Sequence, residues 1–382
     1  MKKIRLIIDG EVLVADHFSG VGNYTLEMMR AIDKELDHDK RFRASIFVYF
    51  RQIEKMRSYG FKNIKIIPSP LSLRISNALK HRNAQQPLDL LFGRGVYLFP
   101  NFSSWPLLRS KSIPFIYDIS FEKYPQYAEP RNQKFLSKQV KLSSQRANHI
   151  VTISKSAQHE IAGFYKKSIN CIGVYYPAVD LSHYYKRPKE EIADVREKYH
   201  IPESYILFVG NIEPRKNLKG LLLAYEKLSP RLQEKYSLVL VGAKGWQDGE
   251  IFEIINRLIK KGLSIVFPDR YVESKDLPAV YSGATVFVYP SIYEGFGIPP
   301  VEAMACGTAV VCADNSSLPE AVGNAAVMVD ASSAQSVANG MSSLLVSDQL
   351  RQDMIKKGHK QTEKFSWNSS AKKLLQEIEK IS

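Results

Sequence analysis

The sequence predicts two successive open α/β domains, each a parallel sheet covered by helices. Short apolar runs alternate with helical or polar segments through the first half of the chain. After a polar, charged stretch the same rhythm restarts near residue 205. No period of about 20–50 residues repeats, which excludes a solenoid. A length of 382 residues also suits two domains better than one.

The elements follow in order. Residues 4–9 (IRLIID) read as a buried strand. The basic start MKKIR imitates a signal peptide, but Asp9 interrupts the apolar run too early. A loop with SGVGNY at 19–24 then leads to a helix from about Tyr24 to Leu36. Gly20 and Gly22 there admit two readings, a loop approaching a ligand's phosphates or a flexible turn. Further strands are expected in ASIFVYF (44–50), NIKIIP (63–68), VYLFPNF (96–102), IPFIYDIS (113–120) and HIVTIS (149–154). Between them, 69–95 reads as irregular, basic and partly helical. Its SLRISNALK suits either a membrane surface or an ordinary amphipathic helix. Asp118 ends the strand IPFIYD, where ligand contacts of open α/β sheets lie, or else forms a turn or cap. Ser154 suits a helix cap.

The expected boundaries are a first domain at 1–181, a hinge with an internal helix at 182–203, a second domain at 204–364 and a terminal helix at 365–382. That last helix has Ser366 as cap and gathers Trp367, Leu374, Leu375 and Ile378 on one face. The face needs a docking surface, expected on the first domain. In the second domain, strands are expected at 205–212, 236–242 and 264–269, and in VFVYPS and TAVVCAD.

Two stretches carry chemistry. In VFVYPSIYEGFGIPPVEAMACGTAVVCAD, Pro299 and Pro300 open a helix, where a missing N–H costs nothing. The loop before it can aim unpaired amides at an anion, and Gly295 and Gly297 allow close backbone approach. Glu294 and Glu302, spaced E-x7-E, flank this seat and suggest a phosphorylated ligand with hydroxyls. The plainer reading is a tight turn with Glu302 in a first helical turn. In NIEPRKNLKG, Arg215 and Lys216 stand before a helix N-terminus, where the macrodipole disfavours cations. A strongly anionic ligand would offset that cost: arginine forks onto two oxygens and lysine acts as a point charge. Solvated loop charges are the alternative.

The net charge of +14 is unevenly spread. Residues 1–190 hold 31 Lys and Arg against 16 Asp and Glu, whereas the remainder holds 22 against 23. Such a half suits anionic lipid headgroups, a polyanionic substrate or plain solubility. Nucleic acid is not expected, because no binding module accompanies the charge. No run is long enough to span a bilayer. Cys171, Cys306 and Cys312 are an odd number without ligand spacing, as for buried thiols in a reducing cytoplasm. Asp37-His38-Asp39 mimics a D-x-D metal motif but falls in a polar loop, and is discounted.

VGNIEPRKNLKGLLLAY and PSIYEGFGIPPVEAMACGTAVV together resemble the nucleotide-sugar half of retaining glycosyltransferases of family 4. SGVGNYTLEMMRAI, IPFIYDISFEKYP, VTISKSAQ and SSLPEAVGNAAVMVD match the family's other segments in order, so the resemblance covers nearly the whole chain. It implies the glycosyltransferase-B fold: two Rossmann-like domains facing across a cleft, with acceptor on the N-terminal side and nucleotide-sugar on the C-terminal side. It further implies that Arg215 and Lys216 neutralise the departing diphosphate, while amides around Phe296, Gly297 and Ile298 bind phosphate or sugar. Glu294 would hold donor-sugar hydroxyls and Glu302 the ribose; Gly20 and Gly22 would line the cleft, and Asp118 would lie near the reacting sugar. The family commonly has His-Asp where this chain has Tyr117-Asp118, so the imidazole contact to the donor sugar is either lost or replaced by a tyrosine hydroxyl.

The resemblance implies no cofactor and no metal beyond the nucleotide-sugar substrate, since the cationic pair takes the metal's place. The two glutamates are then not the nucleophile and acid of a retaining glycosidase. The segments look most like bacterial mannosyltransferases of O-antigen and exopolysaccharide assembly, which points to GDP-mannose and a glycan or lipid-linked acceptor. UDP-hexose or UDP-N-acetylhexosamine donors are the rivals within the class. A nucleotide-sugar 2-epimerase and a non-catalytic sugar-nucleotide binding protein are the rivals outside it. The expected location is cytoplasmic and peripheral, with the basic first domain on an anionic membrane surface.

Overall fold

The computed structural model describes residues 3–14, 20–82, 84–243, 249–268 and 271–382. The chain forms two compact units, Met1–Pro177 with Ser366–Ser382, and Ala178–Phe365. Among the described residues no helix is long and apolar enough to cross a membrane.

The first unit is built on β1 (Ile4–Asp9), β2 (Phe42–Tyr49), β3 (Ile64–Ser69), β4 (Val96–Phe99) and β5 (Lys111–Pro114), ordered β3-β2-β1-β4-β5. Every pairing is parallel. The central strands read as continuous apolar runs because both faces are covered, and Leu6, Ile7 and Ile8 are fully buried. The strand pair β6 (Ile150–Thr152) and β7 (Ile172–Val174) extends this sheet through a bridge from Phe115 to Val151. The order reverses between β1 and β4, so the segments leaving those strands border a crevice at the carboxyl edge.

Several expectations change here. The helix after β1 runs Gly20–Glu35, starting four residues before Tyr24. Gly20 and Gly22 therefore lie in its first turn rather than in a loop, Gly20 exposed and Gly22 buried. Ser19 lies outside the described residues. β5 stops at Pro114, because the Ile116 amide turns to the Val151 carbonyl at 2.9 Å. Asp118 thus sits in the connection to a short helix at Ser120–Lys123, not at a strand end. Cys306 and Cys312 are buried, while Cys171 is half-buried.

The helix Trp367–Ile381, capped by Ser366, completes the first unit from far along the chain. Ala371, Leu374, Leu375 and Ile378 join the core cluster of Met28, Met29 and Ile32. The Trp367 ring meets Tyr24 edge-on at 5.1 Å, and Arg41 pairs with Glu379.

The second unit holds β8 (Tyr205–Val209), β9 (Ser237–Val241), β10 (Ile265–Val266), β11 (Val286–Tyr289), β12 (Ala309–Ala313) and β13 (Ala326–Val329). Their order, β10-β9-β8-β11-β12-β13, is again parallel and reverses between β8 and β11. The stretch 182–203, expected as a hinge, belongs to this unit. Its helix Lys189–Lys198 is tied down by Lys198 Nζ and Tyr199 Oη, each donating to Asp276 Oδ2 at 2.7 Å.

Leu374 is fully buried, so Leu374→Ala should destabilise the first unit by about 2–5 kcal/mol. Urea titration followed by tryptophan fluorescence reads this, and an unchanged midpoint would contradict the docking of the terminal helix.

Candidate active site

The chain leaving β8 turns through a single 3-10 turn, Pro214–Lys216, before the helix Leu218–Glu226. Asn217 joins the two in the left-handed region at φ 58°, a conformation its short polar side chain tolerates. Its Oδ1 accepts from Gly220 N at 3.2 Å, capping the helix. Its Nδ2 donates to the Pro290 carbonyl at 3.1 Å and the Ala331 carbonyl at 2.8 Å. One asparagine thereby stitches the exit of β8 to the exits of β11 and β13. The Ile292 amide donates back to the Arg215 carbonyl at 2.9 Å.

This stitching brings Arg215, Lys216 and Glu294 together at the point where the strand order reverses. Arg215 Nη1 donates to the Tyr293 carbonyl (2.7 Å) and Glu294 Oε2 (3.0 Å), and its Nη2 donates to Glu213 Oε1 (2.7 Å). Lys216 Nζ donates to Glu294 Oε1 and to Tyr289 Oη, both at 2.7 Å. The Tyr289 hydroxyl in turn donates to Glu294 Oε1 at 3.0 Å. Burial works against charge on Glu294, yet the Lys216 ammonium and the Arg215 guanidinium outweigh it and hold the carboxyl down at about 2. Burial pulls Lys216 below its ordinary value; Glu294 opposes that shift and Arg215 adds to it. Two cations face two carboxylates, so the cluster is formally neutral.

Glu213 and Tyr289 were not singled out in the sequence. Each had a readable signal: Glu213 is two residues before Arg215, and Tyr289 closes an apolar strand at its ligand-bearing edge.

The glycine loop lies beside this cluster. The Ser316 hydroxyl accepts from Glu294 N (3.0 Å) and Ser317 Oγ donates to the Glu294 carbonyl (2.8 Å), holding the loop from beneath. Gly297 has φ 100°, and a Cβ there would meet Leu318 Cδ2 at 2.5 Å, so only glycine fits. The helix Ile298–Ala305 follows with prolines at its second and third positions. Among the described residues no acceptor lies against the amides of Gly297 and Ile298. Phe296 is buried, its ring edge-on to Phe365 at 5.1 Å, so its side chain serves the core.

Glu302 is placed apart from the cationic pair, in the second turn of that helix and not in the first. Tyr281 Oη donates to its Oε2 at 2.8 Å. Burial raises its carboxyl, an effect only partly offset by hydrogen bonds from Tyr281 and Tyr184. The E-x7-E pair thus splits, with Glu294 held anionic and Glu302 pushed toward its neutral form.

Asp118, Gly20 and Gly22 belong to the first unit. Asp118 Oδ1 accepts from Ser120 N at 2.9 Å, the turn that the plainer reading described. Tyr117 is buried; its hydroxyl donates to the Pro100 carbonyl at 2.8 Å and lies 3.1 Å from Thr25 Oγ1. It occupies the core rather than replacing a sugar-facing imidazole. In the D-x-D mimic, Asp37 accepts from Asn63 Nδ2 and Asp39 binds the Arg41 guanidinium, so both carboxylates have protein partners.

A family model described as "Glycosyl transferases group 1" matches residues 191–361. The chain is 31% identical over 360 residues to the O-antigen chain mannosyltransferase B of Escherichia coli, covering 92% of this chain and 93% of the relative. This chain belongs to the group 1 glycosyltransferases. The solved sucrose-phosphate synthase of Thermosynechococcus elongatus covers 99% of this glycosyltransferase and 99% of its own chain, with a TM-score of 0.70 at 18% identity. The Anabaena protein HepE, solved with UDP and glucose, covers 99% of this chain and 100% of its own, with a TM-score of 0.73 at 15% identity. The two Rossmann-like units are those of the glycosyltransferase-B fold.

The split between the two glutamates sets opposite outcomes for the same substitution. Glu294 is held below its ordinary 4.5, so its stabilisation is full above pH 4.5 and is lost as pH falls toward 2. Glu294→Gln should cost roughly 3 kcal/mol at pH 7, with the gap to wild type closing in that acid window. Glu302 is raised, so its ionisation opposes folding as pH climbs through its folded value, and Glu302→Gln should raise the melting temperature at pH 7. Melting both variants across pH tests the pair; equal shifts of one sign would contradict the split.

Proposed function

We propose that this glycosyltransferase moves mannose from GDP-mannose to a glycan or lipid-linked glycan acceptor, with retention at the sugar carbon and without a metal. The observation that carries the reading is the Arg215–Lys216–Glu294 cluster beside the open amides of Gly297 and Ile298. The similarity to an enzyme named as an O-antigen chain mannosyltransferase supports mannose as the sugar.

The donor's bond from C1 to the diphosphate oxygen breaks, and charge grows on the leaving diphosphate. The arginine fork and the lysine point charge stabilise that growing charge, with the Gly297 and Ile298 amides adding neutral donors. Glu213 and Glu294 hold both cations in place beforehand, so little reorganisation is needed when the diphosphate arrives. Glu294, anionic throughout, accepts hydroxyls of the donor sugar, while Glu302 takes those of the ribose. The acceptor oxygen bonds to C1 on the face the diphosphate leaves, and its proton passes to a departing phosphate oxygen. The basic first half, with 31 cations against 16 carboxylates in residues 1–190, holds the enzyme peripherally on an anionic membrane surface.

Arg215→Ala with Lys216→Ala should lower turnover roughly a thousandfold, and because it leaves buried Glu294 unpaired the melting temperature is read alongside to separate lost chemistry from lost fold. Unchanged turnover would remove the diphosphate role. A chelator should leave the rate unaltered, and strict dependence on a divalent ion would overturn the metal-free step. Thermal shift across GDP- and UDP-sugars should select GDP-mannose; a UDP-sugar giving the larger shift would replace the donor. Donor conversion without any acceptor would point instead to an epimerase.

A further inference from the structure

The helix Leu73–Arg82 of the first unit is partly inverted. Leu79 packs on the core of Ile7 and Phe47, but the fully buried positions are Ser76 and Lys80, while Leu73 is 37% exposed and Ile75 is 52% exposed. The buried side is held by charge: Lys80 pairs with Glu11 Oε2, and the Tyr49 hydroxyl donates to the same oxygen at 3.0 Å. Asp9 Oδ1 accepts from Glu11 N at 3.0 Å, and Gln139 Nε2 donates to the Lys80 carbonyl at 3.1 Å. A helix facing water normally does the reverse, burying its apolar stripe and showing its charges. Anchoring through a buried ion pair leaves Leu73 and Ile75 exposed, which is useful only if something apolar meets them.

Phe50, 76% exposed, extends the same surface. It follows Tyr49 at the end of β2, and Tyr49 pairs with Ser69 at the end of β3, from which the chain runs into this helix. Phe50, Leu73 and Ile75 therefore leave adjacent strand ends on the carboxyl edge of the sheet, the edge where open α/β sheets bind ligands. Exposed arginines, Arg51 and Arg74, alternate with them in sequence, and among the described residues neither has an ion-pair partner. Apolar side chains interleaved with unpaired cations match the interface of an anionic bilayer, where rings and branched chains enter the acyl boundary and guanidinium groups meet headgroup phosphates.

We infer that Phe50, Leu73 and Ile75, with Arg51 and Arg74, dock this enzyme on an anionic bilayer, ligand edge first. The inference rests on the reading of a membrane-borne acceptor, because this orientation turns the first unit's ligand edge toward the lipid from which such an acceptor projects.

Co-sedimentation with vesicles of phosphatidylglycerol and phosphatidylethanolamine tests it. Wild type should bind, and binding should weaken as salt is raised. Phe50→Ser with Ile75→Ser should lower the partition about tenfold, with melting temperature and the thermal shift on GDP-mannose unchanged. Leu90→Ser with Leu108→Ser is the control: those side chains are 66% and 63% exposed but lie before β4 and β5, at the opposite edge. Wild-type binding by the Phe50/Ile75 variant, or loss of binding in the control instead, would overturn the proposal. So would a change in oligomeric state without a change in vesicle affinity, which would make the patch an interface between copies of this chain. The two readings fail separately. No transfer from GDP-mannose by wild type defeats the donor assignment, while the vesicle series still stands or falls alone.

Discussion

A single buried carboxylate organises the active unit. Glu294 accepts from Arg215, Lys216 and Tyr289 at once, and its own backbone is gripped by Ser316 and Ser317. Taking such a charge out of water is costly unless it is fully paired. Here pairing draws the exits of β8, β11 and β12 to one point. The reversal of strand order between β8 and β11 opens the crevice, and the ion pairs decide which side chains stand in it. Without the carboxylate, two cations would face one another across a half-buried gap. With it, both cations are held in fixed positions by the protein itself.

Much of this was legible in the sequence because the determining features are local. Apolar runs of four to six residues between helical segments reveal parallel strands buried on both faces, and Gly297 followed by two prolines leaves few options but a turn into a helix. The PRKN turn and the E-x7-E spacing are readable because charges at a helix start need a reason. What was not legible depends on packing across distance. β7 and β13 are short strands, Ile172–Val174 and Ala326–Val329, which declare themselves only through their neighbours. The first helix extends back over Gly20 and Gly22 against propensity. The sequence leaves open whether Tyr117 faces a sugar, and only packing shows Pro100 and Thr25 where its hydroxyl finds buried partners. The opposite fates of Glu294 and Glu302 were invisible for the same reason: one meets two cations and the other meets tyrosines.

The two units share a construction but differ in what their carboxyl edges carry. In the second unit the edge holds a neutral four-charge cluster with open amides beside it. In the first, Asp9, Glu11 and Lys80 form a buried ionic group whose result is mechanical, fixing a helix that leaves Leu73 and Ile75 exposed. Burial raises the Asp9 carboxyl to about 6, with Lys80 opposing, so that group is less firmly charged than Glu294. A shared strand order thus carries a paired charge cluster at one edge and a buried ion pair beneath exposed apolar side chains at the other, which is the general separation of fold from function.

The helix Trp367–Ile381 has a consequence for the order of events on the ribosome. The second unit is contiguous in sequence, whereas the first is interrupted by all of it. As the chain emerges, residues 3–177 must wait with Met28, Met29 and Ile32 uncovered until some 190 further residues have been made. The active unit can close first, although domains usually mature from the N-terminal end. The basic first unit is finished last, by the helix Trp367–Ile381 that follows the second unit. A chain stalled before residue 366 lacks the helix that packs on Met28, Met29 and Ile32, and that face of the core stays open.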